Sequence, residues 1–213
     1  MKKKLLVILV LVMMSMGLYA QQAGTHTFGF RLGMAFGLWA GLEDDGYSSW
    51  SDGMGGWGWY EFEESNRSNF NFAVYYAYTF RDNFSLQIEL NYMINQGIDV
   101  ESQGGHTHGG SWSDSHEFTY TSIDIPVLLR YNFFHGFFGL LIGPHISIPL
   151  MGDYVDDIQV TFGITAGVQG FFPLGAGFLV GDVRFIADFN EIVDGSDIRR
   201  QALAITVGYE WSF

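Results

Sequence analysis

From 84 to 95 the chain reads FSLQIELNYMIN, with Phe84, Leu86, Ile88, Leu90, Tyr92 and Ile94 at one parity and Ser85, Gln87, Glu89, Asn91, Met93 and Asn95 at the other. A period of two sorts side chains onto the two faces of an extended strand, and a helix cannot sort them this way. The pattern recurs along the chain. Residues 70–80 set Phe70, Phe72, Val74, Tyr76, Tyr78 and Phe80 against Asn71, Ala73, Tyr75, Ala77 and Thr79. Residues 28–38 set Phe28, Phe30, Leu32, Met34, Phe36 and Leu38 against Gly29, Arg31, Gly33, Ala35 and Gly37. Segments 118–133, 137–150, 158–172, 177–190 and 199–213 follow the same rule and bring the expected number of strands to eight. Phe118 and Tyr120 have the wrong parity for the run from Ile123 to Phe133, so a bulge is expected near Thr121.

The connections alternate in length, with long loops expected at 41–68 and 99–116 and tight turns at 81–83, 134–136 and 173–176. That alternation describes an all-β, eight-stranded antiparallel up-and-down barrel. A soluble barrel would turn its apolar parity inward. Three features turn it outward, toward lipid. The strands run to some 11–16 residues, long enough to cross a bilayer at a tilt. The polar parity carries both charge signs in mid-strand, at Arg31, Glu89, Asp124, Arg130, Asp182, Arg184 and Glu210. The apolar parity becomes aromatic toward the tight turns, at Tyr78, Phe80, Phe84, Tyr131, Phe133, Phe138 and Phe172, as an interfacial girdle would. Pro126, Pro144 and Pro149 lie inside expected strands and must sit at bulges or near a rim, because proline gives no ladder donor.

Residues 1–20 read as a signal peptide: MKKK, then an apolar run, then LYA before QQ. All of the lysines lie in it, so the formal charge of −13 becomes −16 when those three lysines are removed, leaving 21–213 as the mature barrel. A surface so acidic excludes nucleic acid as a partner. There is no cysteine, hence no disulfide or lipidation site, and no later apolar run reaches the length of a membrane helix. No cofactor is expected.

The last strand, TVGYEWSF, places Thr206, Gly208, Trp211 and Phe213 in an order that resembles the terminal polar-x-Gly-x-x-aromatic-x-aromatic signal of bacterial outer-membrane barrels. That resemblance implies recognition by the barrel assembly machinery through edge pairing. SIDIPVLLRYNF (122–133), GLLIGPHISIPL (139–150) and FGITAGVQGFFPLGAGFLVGDVRF (162–185) resemble the outer membrane protein β-barrel domain, or porin-family proteins, including PorT-like members. The matching motifs are Ile125 to Tyr131, then Ile142-Gly143-Pro144, Pro173 to Gly177, and Asp182 to Arg184. The resemblance implies a barrel in the bacterial outer membrane, in contact with its lipid, and implies nothing about activity.

Three readings of function follow. Eight strands enclose a lumen that side chains can fill. Arg31, Arg130 and Arg184 should therefore pair with Glu89, Asp124, Asp182 and Glu210, while Phe137, Leu141, Phe171 and Ile186 add bulk. The expectation is a filled barrel, not an enzyme, that acts through its loops in binding or envelope integrity. Loop 41–68 holds Trp50, Trp57, Trp59 and Tyr60 among acidic residues, as contact anchors for an extracellular ligand. The alternatives are a small lipid-modifying enzyme, for which the Ser and His residues of 104–116 are candidates, and a narrow ion or solute channel along the lumen charges. His106, His108 and His116 offer nitrogen ligands of a kind that suits zinc, nickel or copper. His145, on the inward parity, is expected to be a hydrogen-bonded lumen residue.

Overall fold

The computed structural model describes residues 23–38, 47–51, 57–66, 68–106, 111–152, 158–193 and 198–213. The expected leader, 1–20, lies outside them. The strands are β1 (His26–Gly37), β2 (Tyr47–Ser51), β3 (Trp57–Asn66), β4 (Ser68–Arg81), β5 (Phe84–His106), β6 (Ser111–Phe133), β7 (Phe138–Gly152), β8 (Thr161–Leu174), β9 (Gly177–Asp188) and β10 (Gln201–Ser212). All pairings are antiparallel. Eight strands close a ring in the order β1-β4-β5-β6-β7-β8-β9-β10, and β10 returns to β1. At that seam Arg31 lies opposite Gly208, Gly33 opposite Thr206 and Phe28 opposite Trp211. Beyond it, Phe213 N donates to His26 O at 2.9 Å and His26 N to Phe213 O at 3.1 Å.

The long loops expected at 41–68 and 99–116 contain strands. The first connection holds β2 and β3, and the second is largely the continuation of β5 and β6 past the barrel. β3 pairs with β5 from Gly58↔His106 to Asn66↔Ile98, and β2 pairs with β3. A four-stranded sheet in the order β2-β3-β5-β6 therefore rises from one side of the ring. These segments carry no apolar/polar alternation, so parity gives no strand signal there.

Where alternation is strong, it survives in three dimensions. In β4, Asn69, Asn71, Ala73, Tyr75, Ala77 and Thr79 are buried, while Phe70, Phe72, Tyr76, Tyr78 and Phe80 are exposed. Polar side chains inside and apolar ones outside is the arrangement that hydrocarbon demands. The irregularity expected near Thr121 falls where the β6–β7 register shifts, between Thr121 and Ser122. A second shift, between Met93 and Gln96 of β5, contains Asn95 at φ 56°, a left-handed conformation that asparagine tolerates. The prolines sit where ladders are interrupted. The β5–β6 pairing jumps from Ile88↔Val127 to Asn91↔Asp124, passing over Pro126. The β6–β7 pairing jumps from Pro126↔His145 to Leu129↔Ile142, passing over Pro144, while Pro149 lies at the Thr121/Ser122 shift.

Aromatic rings crowd the end with the tight turns. Phe84 stands 4.9 Å from Tyr131, Tyr131 6.3 Å from Phe133, and Phe133 5.8 Å from Phe138, centroid to centroid. His26 stacks on Phe213 at 5.9 Å and Phe28 lies 5.1 Å from Trp211, extending the belt across the seam. Amphipathic rings belong at the level of the headgroups. Phe137, expected on the inner face of a strand, lies instead in the turn before β7 and is half-buried.

Candidate functional site: a filled lumen beneath an emergent sheet

β1, β5, β6 and β10 each send one charged residue into a shared network and β9 sends two, and closure of the ring brings them together. Arg31 meets Glu89 end-on, Nη1 donating to Oε1 at 3.1 Å and Nη2 to Oε2. Arg184 reaches Glu89 Oε2 at 2.7 Å from Nη1, and its Nε donates to Asp182 Oδ1 at 2.7 Å. Gln87 and Gln169 donate to Glu89 at 2.5 Å and to Asp182 at 2.8 Å. Arg130 Nη1 binds Glu210 Oε2 at 3.0 Å and Gln87 Oε1 at 3.2 Å, and Tyr75 OH donates to the same Glu210 oxygen at 2.9 Å. Arg31 lies over the Tyr75 ring and Arg130 over Phe171. Six of the seven charged residues expected in the lumen thus share one network. Asp124 does not join it.

Asp124 belongs to a second cluster further along the lumen, built on Arg200, which the sequence reading left out. Arg200 Nη1 pairs with Asp124 at 3.0 Å and takes Gln96 Oε1 at 2.9 Å, while Nη2 reaches Asp188 Oδ1 at 3.1 Å. His145 Nε2 lies 2.7 Å from the same Asp188 oxygen, and Thr161 donates to Oδ2 at 2.6 Å. Thr165 Oγ1 stands 3.1 Å from His145 Nδ1. The alternation of β9 links the two clusters, since Asp182 and Arg184 serve the first, Asp188 the second, and Ile186 the space between. Ile186 packs there with Ala35, Met93, Ala202 and Ala204. Beyond the second cluster, Tyr120, Ile158 and Ile192 form an apolar lid with Val193 against them. The lid is held by an Ile158↔Val193 bridge and by Gln159 N donating to Ile192 O at 2.7 Å.

Charges in such a space are tolerated only when paired, because a lone ion loses its hydration without replacement. Large inward residues also need small neighbours. A Cβ on Gly208 would lie 2.6 Å from Arg31 Cβ, and one on Gly29 would lie 2.3 Å from the Tyr75 ring. The inward glycines opposite the arginines are therefore what gives the network its room. Arg200 and Asp188 were hard to find because they sit at strand ends, where parity fades. Gln96 and Tyr120 sit beside bulges, which reverse it.

The family model described as "Outer membrane protein beta-barrel domain" matches residues 19–213. The chain belongs to that family. It is accordingly a protein of the bacterial outer membrane. No curated protein matches it. Among solved structures, the outer membrane protein OprG from Pseudomonas aeruginosa is similar at 12% identity and a TM-score of 0.49, over 92% of this chain and 99% of OprG. The translocator domain of the autotransporter NalP from Neisseria meningitidis is similar at 12% identity and a TM-score of 0.30, over 93% of this chain and 92% of that one.

In this family member, the remaining expected site residues fall on the emergent sheet. In the backbone register Trp57 and Trp59 of β3 lie opposite Ser51 and Ser49. Trp50 is registered opposite Gly58 and Tyr60 opposite Ser48. His108 lies outside the described residues. His116 is registered against Val100, six positions along β5 from His106. At about 3.4 Å per residue that separation is ~20 Å, too far for His106 and His116 to serve one ion. Among the described residues no group of three His, Asp or Glu is arranged to hold a metal.

Proposed function

We propose that this chain is a filled outer-membrane barrel that works as a surface recognition protein, with the barrel as anchor and the β2-β3-β5-β6 sheet as the working part. The observation carrying this reading is the division of labour along β5 and β6. Their lower halves help enclose a lumen occupied by paired charges and capped by Tyr120, Ile158 and Ile192, while their upper halves continue past the ring paired with each other, and β5 there takes β3 on its other side. The tight turns with their aromatic belt would face the periplasm and the sheet would face the exterior. A catalytic series inside the lumen is disfavoured by burial. Among the described side chains, the series Thr165–His145–Asp188 has the order of a hydroxyl, an imidazole and a carboxylate, but each is at most 5% exposed and Asp188 is tied to Arg200.

One observation favours a second reading, a narrow water or ion path. Asn69 Oδ1, Asn71 Oδ1, Asn91 Oδ1 and Thr206 Oγ1 are buried acceptors with no hydrogen-bond partner among the described residues. Conductance of residues 21–213 in a planar bilayer decides between the two. The filled barrel is expected to be silent; stable openings altered by Arg130→Ala or Glu89→Ala would overturn it. Deleting 43–66 removes β2 and β3 entirely, and on the recognition reading the remaining barrel keeps its heat-modifiable gel migration. Loss of that migration would make the sheet a structural part of the barrel instead.

A further inference from the structure

The emergent sheet ends on an unusual edge. β7 pairs with β6 only from Tyr120↔Gly152 onward, whereas β5 pairs with β6 up to Gly105↔Ser111. Among the described residues no strand lies against the other side of 111–118, SWSDSHEF. Eight residues of edge span ~27 Å at about 3.4 Å per residue. The opposite edge, β2, has five residues. An open edge presents alternate N–H and C=O groups, ready to accept another strand.

Charge selects the occupant. The four strand segments of this sheet, 47–51, 57–66, 98–106 and 111–118, contain Glu61, Glu63, Glu64, Asp99, Glu101, Asp114 and Glu117 and not one Lys or Arg. Register sets like charges directly opposite each other, Glu63 against Glu101 and Asp99 against Glu117. Such pairs are destabilising in isolation and are relieved by a cation beside them. Acidic residues on an edge also oppose pairing with a second copy of the same edge. We infer that the β6 edge at 111–118 takes up an extended, cationic polypeptide segment as an added strand, main-chain hydrogen bonds giving the fit and the acidic sheet giving the selectivity. This deepens the recognition reading and rests on it.

The test uses residues 21–213 folded in detergent micelles and three labelled octapeptides: alternating Lys-Val, its fully N-methylated form, and alternating Glu-Val. The Lys-Val peptide is expected to bind, the methylated form at least tenfold more weakly and the Glu-Val form not at all. Hydrogen exchange should slow at 111–118 when the Lys-Val peptide is present. Asp114→Asn with Glu117→Gln should weaken binding several-fold while leaving gel migration unchanged. Equal binding of the methylated peptide would reduce the effect to charge attraction and overturn the proposal, as would slowed exchange at 47–51 alone. Slowed exchange with calcium chloride alone, or self-association without peptide, would overturn it too. If deleting 43–66 abolishes peptide binding while the Asp114/Glu117 variant does not, the β6 edge is wrong and the recognition reading survives. If no peptide binds and the deleted chain no longer folds, both fail.

Discussion

Glu89→Ala is expected to be the most damaging single substitution in the barrel, lowering stability by about 3–5 kcal/mol, because it leaves charges buried without a partner. Glu89 accepts from Arg31, Arg184 and Gln87 at once. Removing it leaves both guanidiniums dependent on Asp182, which lies 3.7 Å from Arg31 and 2.7 Å from Arg184. Glu89→Gln keeps the volume and two of the acceptor's lone pairs, so it should fall between the parent and Glu89→Ala. Arg81→Ala, at the exposed end of β4, should stay within about 0.5 kcal/mol of the parent. The measurement is the denaturant midpoint of the gel-migration shift in micelles. A Glu89→Ala barrel as stable as the parent would mean that the arginines have other partners, and the filled-lumen account would lose its main support.

A pair of glycines gives the second large effect and its control. A Cβ on Gly208 would lie 2.0 Å from Phe30 O, a backbone atom that cannot move without opening the β1–β10 ladder, and 2.6 Å from Arg31 Cβ. Gly208→Ala should therefore cost about 1–3 kcal/mol through overpacking and should slow refolding as well, since it strikes the closing seam. Gly181 on β9 has nothing within 4 Å of the same hypothetical atom. Gly181→Ala should be neutral or stabilising by up to about 1 kcal/mol, because alanine loses less backbone freedom on folding. Equal effects at the two positions would show that backbone entropy, rather than the fit over Arg31, governs both.

These two expectations also mark what could be read without coordinates. The alternation of 70–80 and 84–95 assigned inward and outward faces because lipid on one side and packed polar groups on the other enforce it at every residue. Parity names a face, however, and not a height or a partner. Arg184 meets Glu89 across the lumen, from β9 to β5, and only ring closure brings two residues so distant in sequence together. Asp124 was placed with the other lumen charges although its partner, Arg200, precedes β10 and lies outside any clean alternation. The sheet of β2 and β3 was hidden for the opposite reason. In WGWYEFEESN the aromatics and acids follow no period that distinguishes strand from loop.

The seam has one further consequence, for persistence in time. Thr27 and Ser212, hydrogen-bonded at 2.9 Å, are 185 residues apart in sequence, so the hoop can be completed only by one of its most distant contacts. Contacts of that range are slow to find, and assembly should be correspondingly slow. Once shut, a hoop has no terminal strand to peel away, and leaving it means breaking paired ladders together. The lifetime of the anchored protein should then be set by the height of an opening barrier rather than by its depth in free energy. Such an anchor can hold its emergent sheet in place long after the conditions under which it was inserted have changed.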